Sequence, residues 1–217
     1  MSKGEELLTK YENEVEAIWR SKTPKSRELC EKAEQYVPGG ALRSHSTGTY
    51  PPYGDRVDGS YIFDVDGNRY IDLVMGMTCI MGHNHPKIAE AVQAQVPKGL
   101  VSFQPETGRD KLAEMMVKRV PSVDKIWFTL GGSQSFMWAI RAARAYTGRD
   151  KIVKIRGGYN GTYDDALAVP PNPRMPNGFR GLPKNTLDNV LMMHWNDKEG
   201  TEKVLRENKD DIAAVLT

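Results

Sequence analysis

The 217-residue sequence is poor in cysteine, with only Cys30 and Cys79, far apart and in no C-x-x-C pair. That argues against a disulfide framework or a thiolate zinc site and leads to the expectation of a reducing, cytoplasmic compartment. Charge of one sign is also lacking. There are 30 Lys and Arg against 28 Asp and Glu, a formal net charge of +2, so composition offers no ground for nucleic acid or an anionic membrane as partner. No apolar run approaches the length of a membrane span. The first twenty residues are charged and helical in pattern, without a signal-peptide core. Histidine is scarce, and His83 and His85 stand in Gly82-His83-Asn84-His85-Pro86 with no third ligand nearby, so no metal is expected. Asn84 or His85 is expected instead to cap a helix that Pro86 begins. No Ser/His/Asp or Cys/His nucleophile signature is present.

What is there reads as a globular chain, 39% hydrophobic and 27% charged, long enough to bury a core. Residues 1–36 have helical periodicity, with Leu7, Leu8, Tyr11, Val15 and Ile18 on one stripe and a second stretch from Ser26 to Tyr36. Residues 41–58 read as a long loop. Tyr61–Val65 and Arg69–Leu73 flank Asp66-Gly67-Asn68 as a hairpin. Asp64, Asp66 and Asn68 mimic the start of a calcium loop but fail its glycine and closing-glutamate positions. Helices are expected from Pro86, over Arg109–Arg119, Gln134–Tyr146 and Glu199–Glu207. Strands are expected at Lys125–Thr129, Lys151–Ile155, Ala166–Val169, Asn189–Met193 and Ile212–Leu216. Alternation of strands and helices predicts an α/β domain with a mainly parallel sheet. The expected division is an N-terminal lobe of helices, loop and hairpin over 1–75, and an α/β domain over 76–217.

Two glycine-rich turns follow expected strands. In Gly131-Gly132-Ser133 small residues permit close backbone approach, and the following helix offers free N–H groups and a dipole to an anion, with the Ser133 hydroxyl beside them. The same pattern fits an ordinary tight turn with Ser133 as an N-cap. In Gly157-Gly158-Tyr159-Asn160-Gly161 the tyrosine ring is placed to stack on a planar ligand, or is simply a surface residue of a turn.

Five segments, in order, resemble class-III aminotransferases, and among them the glutamate-1-semialdehyde aminomutases. They are SRELCEKAEQYVPGG (26–40), VDGSYIFDVDGNRYIDLV (57–74), GHNHPKIAEAV (82–92), GGSQSFMWAIRAARAYTGRDKIVKIRGGYNG (131–161) and NDKEGTEKVLRENKDDIAAVL (196–216). The resemblance implies a fold-type I large domain, a mainly parallel sheet with helices on both faces, truncated here, plus the small N-terminal lobe. It also implies pyridoxal 5'-phosphate (PLP) as cofactor, small amino and keto or aldehyde substrates, and a homodimer.

The same resemblance implies that Gly131, Gly132 and Ser133 hold the cofactor phosphate. Gly131 stands where a serine is usual, and Gln134-Ser135 where the family often has Glu-Ala. Tyr159 matches the aromatic residue that stacks on the pyridine ring, with Asn160 in place of the usual histidine. Arg43, in the loop after Gly39-Gly40, is a candidate for a substrate carboxylate. The Schiff-base lysine and the acid on the pyridine nitrogen are expected beyond the strand at 212–216. Lys154 and Lys184 are expected to be solvated. The function implied is amino-group transfer, by an aminotransferase or an aminomutase. Two alternatives remain: a non-catalytic fragment that binds a phosphate ligand or a partner, and one half of a two-chain enzyme.

Overall fold

The computed structural model describes residues 3–38, 50–74, 80–99, 104–170 and 180–217. The chain forms two compact units, Met1–Gln104 and Pro105–Thr217.

The first unit opens with α1 (Lys3–Lys22) and α2 (Pro24–Ala33), followed by β1 (Gly54–Asp58), β2 (Tyr61–Asp64), β3 (Arg69–Ile71) and α3 (Pro86–Gln95). The three strands make an antiparallel sheet in the order β1-β2-β3. The expected hairpin is β2 and β3, with Tyr61 opposite Ile71. β1 corrects the reading of 41–58 as loop throughout, because Arg56–Asp58 pair with Tyr61–Phe63. That stretch lacks apolar alternation, since all five β1 residues are exposed and none needs to be apolar.

Polar contacts hold the hairpin turn to the helices. Asp64 accepts from the amides of Asp66 (3.0 Å) and Asn68 (2.7 Å) and from the Tyr70 hydroxyl (2.7 Å). Burial first, and that bond to Asp64 second, push the Tyr70 phenol well above its usual range. Asp66 reaches across to α2. Its carboxylate accepts from Lys25 N (2.7 Å), Ser26 N (2.9 Å) and Ser26 Oγ (2.7 Å). Thr23, the residue before Pro24, makes no side-chain cap bond. The free amides of the α2 first turn are therefore capped from the hairpin, about forty residues away. The calcium-like triad is a set of caps.

The second unit contains α4 (Thr107–Arg119), α5 (Gly132–Thr147), β4 (Lys151–Ile155), α6 (Asp164–Leu167), β5 (Val190–Met193), α7 (Lys198–Glu207) and β6 (Ile212–Leu216). Its sheet has the order β5-β4-β6, with β4 parallel to both neighbours. Ile152 and Val153 point to opposite faces and both have zero exposure, so β4 is covered on both sides, as a central parallel strand must be. Ile140 of α5, Ile152, Ala166, Ala168, Val190 and Leu216 form the core. Gly148 closes α5 in the left-handed conformation, and the Asp197 carboxylate caps α7 at Gly200 N (2.9 Å).

Three expectations need correction. Lys125–Thr129 pairs with no strand among the described residues; Trp127 of this segment stacks on Trp138 of α5 with ring centroids 5.3 Å apart. Ala166–Val169 is not a strand, because Asp164–Leu167 turns as α6 and draws Asp165 against Arg144 (2.6 Å). Lys154 is not solvated, having 1% exposure.

Two outcomes follow from these contacts. Asp66→Ala removes the remote cap of α2, a loss of about 1 kcal/mol, read as roughly fivefold faster hydrogen exchange of the α2 amides. Burial works to raise the Asp66 carboxyl, but the bonds from Ser26 and Lys25 outweigh it and hold the group below its ordinary range. Its contribution is therefore complete above the usual aspartate value of about 3.9 and lost as pH falls through the depressed one. Asp165→Ala leaves the Arg144 guanidinium inside with no carboxylate. It lowers the stability of the second unit by about 3 kcal/mol in urea denaturation, the low end for a broken buried pair because part of Arg144 stays exposed.

Candidate phosphate and ring site

α5 begins abruptly. Gly131 is its N-cap residue in extended backbone, and Ser135 N makes the first helical bond, to Gly131 O, at 3.0 Å. The amides of Gly132, Ser133 and Gln134 precede that bond, and among the described residues no side chain caps them. The space around Gly131 and Gly132 is open, with nothing within 4 Å of where a Cβ would lie. Uncapped amides, a helix dipole and free space together suit an anion.

The turn before the helix is braced by side chains of the first turn of α5. Gln134 Oε1 accepts from Leu130 N (2.8 Å), and the Thr129 and Ser135 hydroxyls lie 2.5 Å apart. Gln134 thus keeps the polar brace without a carboxylate facing the anion site.

The second glycine-rich turn docks on the first. Thr162 N donates to Ser133 Oγ at 3.2 Å, which leaves the hydroxyl proton free to donate elsewhere. Gly161 has φ +101°, and a Cβ there would stand 2.7 Å from Ser133 Cα. Glycine is required at this position on both counts. Gly157 (φ +88°) and the bond from Gly158 N to Ile155 O (3.0 Å) form the turn that leads out of β4.

Tyr159 presents its ring with 72% exposure to an open cleft of about 410 Å³ at the carboxyl ends of β4 and β6, which Trp195 also lines. Asn160 lines the same cleft, 7% exposed, and its Oδ1 has no hydrogen-bond partner among the described residues. An acceptor buried without a partner is unusual.

Of the residues expected from sequence, Ser133 and the Tyr159–Gly161 turn are thus brought together by the Ser133–Gly161–Thr162 contact. Arg43 lies outside the described residues. The adjacent carboxylates Asp164-Asp165 are ambiguous in the sequence, and Thr162 is not singled out by it. The arginine three turns along α5 is the only signal for the first, and a backbone donor leaves no signal for the second. In the first unit His83 Nε2 sits 2.7 Å from Asp72 Oδ2. His85 is the N-cap residue of α3 without a side-chain cap bond. Among the described residues no group of three His, Cys, Asp or Glu is placed to hold a metal.

Comparison with known proteins places the chain in a family. The family model for class-III aminotransferases matches residues 44–217. The glutamate-1-semialdehyde 2,1-aminomutase of Haloarcula marismortui is 36% identical over 195 residues, covering 88% of this chain and 44% of the relative. That of Methanosphaera stadtmanae is 36% identical over 207 residues, covering 90% and 47%. Among solved structures, an omega-transaminase from Sphaerobacter thermophilus superposes with a TM-score of 0.79 at 37% identity, over 88% of this chain and 46% of its own. A beta-phenylalanine aminotransferase from Variovorax paradoxus gives 0.81 at 26% identity, over 96% and 46%. The chain spans about half the length of the relatives it matches. The fold is that of part of a fold-type I large domain with its N-terminal elements, and the chain belongs to the class-III aminotransferase family.

Proposed function

We propose that this protein takes part in PLP-dependent amino-group transfer, as an aminotransferase or an aminomutase, and that its own contribution is the phosphate cradle and the stacking ring. The observation that carries the reading is the docking of the Tyr159–Gly161 turn on the uncapped start of α5, through Thr162 N to Ser133 Oγ and the close approach of Gly161. A transaminase 34% identical to this chain, with a TM-score of 0.80, is described with PLP bound, which supports the same choice of ligand.

In this reading the amides of Gly132 and Ser133 and the Ser133 hydroxyl donate to the phosphate, and Gly131 leaves the backbone room to do so. Tyr159 covers one face of the ring and excludes water from it. Asn160 Oδ1 accepts a hydrogen bond from the ligand. When bound, PLP supplies an aldehyde carbon that takes up an amine and a ring that accepts electrons. We assign neither Lys154 nor Lys184 to the covalent role, since Lys154 is engaged with Ala166 O and Lys184 is an exposed turn residue. Small amino and keto or aldehyde substrates, a homodimer and a cytoplasmic location belong to the same proposal. Cys30 as a buried free thiol supports the last, and no described helix is long and apolar enough to cross a membrane.

The test is binding of PLP and of inorganic phosphate to the purified protein, by calorimetry and ³¹P NMR. Ser133→Ala weakens both ligands about tenfold, the loss of one charge-assisted bond. Tyr159→Ala weakens PLP about fivefold and leaves phosphate unchanged, the loss of ring stacking alone. Gly161→Ala forces the turn off Ser133 and weakens both ligands at least as much as Ser133→Ala. Equal affinity of the wild type and Ser133→Ala for phosphate would sink the assignment.

A further inference from the structure

Lys154 is a charged residue in a place that chemistry disfavours. It lies on β4 between Met192 and Leu216 of the flanking strands, on the same face as core residue Ile152, with 1% exposure. Among the described residues no acid offsets it: burial acts on its ammonium and pulls its pKa down. A methionine or leucine would fill this position without the cost of burying an unpaired charge. What a lysine adds is a donor at the end of a long stem, and Nζ donates to Ala166 O.

The position of that carbonyl gives the bond its consequence. α6 is a single turn whose own bonds run from Leu167 N to Tyr163 O and from Ala168 N to Asp164 O. Its last carbonyls, Ala166 O among them, have no partner within the helix, and one turn does not hold itself together. Two basic side chains fix it: Arg144 of α5 through Asp165, and Lys154 of β4 through Ala166. Lys154 and Ala166 also flank one loop, the segment that leaves β4 at Arg156 and carries Tyr159, Asn160, Gly161 and Thr162. A bond between its two ends fixes the span of that loop.

We propose that Lys154 is a positioning residue for the anion site: from within the core it clasps the two ends of the Arg156–Tyr163 loop and so holds Gly161 and Thr162 on Ser133. Only the ligand readout of this inference rests on the phosphate reading; the clasp itself is read without ligand.

The experiment compares Lys154→Met, which keeps volume and removes the donor, with Lys154→Gln, which removes the charge and keeps an N–H. Three quantities are measured on each: urea stability, hydrogen exchange at the Thr162 amide without ligand, and affinity for inorganic phosphate by ³¹P NMR. Lys154→Met is expected to fold with stability equal to or above wild type. Its Thr162 exchange is faster and its phosphate affinity weaker, each by about tenfold, and Lys154→Gln recovers most of both. A role in packing alone predicts instead that stability and binding fall together and that Gln fares worse than Met. That result, a Met variant that fails to fold, or unchanged Thr162 exchange in Met would each overturn the clasp. Faster Thr162 exchange in Met, in a wild-type protein that binds no phosphate, would uphold the clasp and sink the phosphate reading.

Discussion

The site depends on one close approach, that of the turn after β4 to the first residues of α5. Gly161 comes so near Ser133 that no side chain fits between them, and Thr162 N adds a hydrogen bond to Ser133 Oγ. Neither turn alone makes more than a helix start or a glycine-rich corner. Joined, they place free amides, a hydroxyl, a buried amide oxygen and an aromatic ring on adjacent stretches of backbone. The core serves this arrangement. Ile140 carries α5 onto the sheet, and the residues around Ala166 carry α6, so that the loop between β4 and α6 has fixed ends.

The two units are held by different physics. In the second, β4 is buried on both faces and the parallel sheet organises the helices. In the first, the described residues bury few apolar side chains; hydrogen bonds to Asp64 brace the hairpin turn, and those to Asp66 join it to α2. The apolar stripe of α1 illustrates the difference. Tyr11, Val15 and Ile18 have the helical spacing that core-facing residues have, yet all three are exposed. Periodicity specified the helix but not what covers its apolar side.

Legibility in the sequence followed the range of the determining interaction. Helices with a stripe and a local stop signal, such as α5 ending at Gly148, were readable, as were β4, β5 and β6 from their apolar runs between turns. The run Ala166–Val169 was misread because a short apolar stretch suits a strand and a buried helical turn equally, and the Arg144–Asp165 pair that decides lies 21 residues away. Lys125–Thr129 has strand composition, but a strand exists only with a partner, and none of the described residues provides one. Lys154 was misread because lysine is seldom buried, and only the carbonyl it meets explains why this one is.

The sequence by itself determined what local chemistry decides. It set the helix and strand periods, the glycines needed for left-handed backbone at positions such as 157 and 161, the near-neutral charge, and the ordered motifs that mark a class-III aminotransferase. Only the tertiary structure decided which motifs meet. Ser133 and Thr162 are 29 residues apart in sequence, and their bond exists because a parallel sheet returns β4 beside the core of α5 and delivers both turns to one end. Contacts of that kind depend on positions in space, which no single stretch of residues encodes.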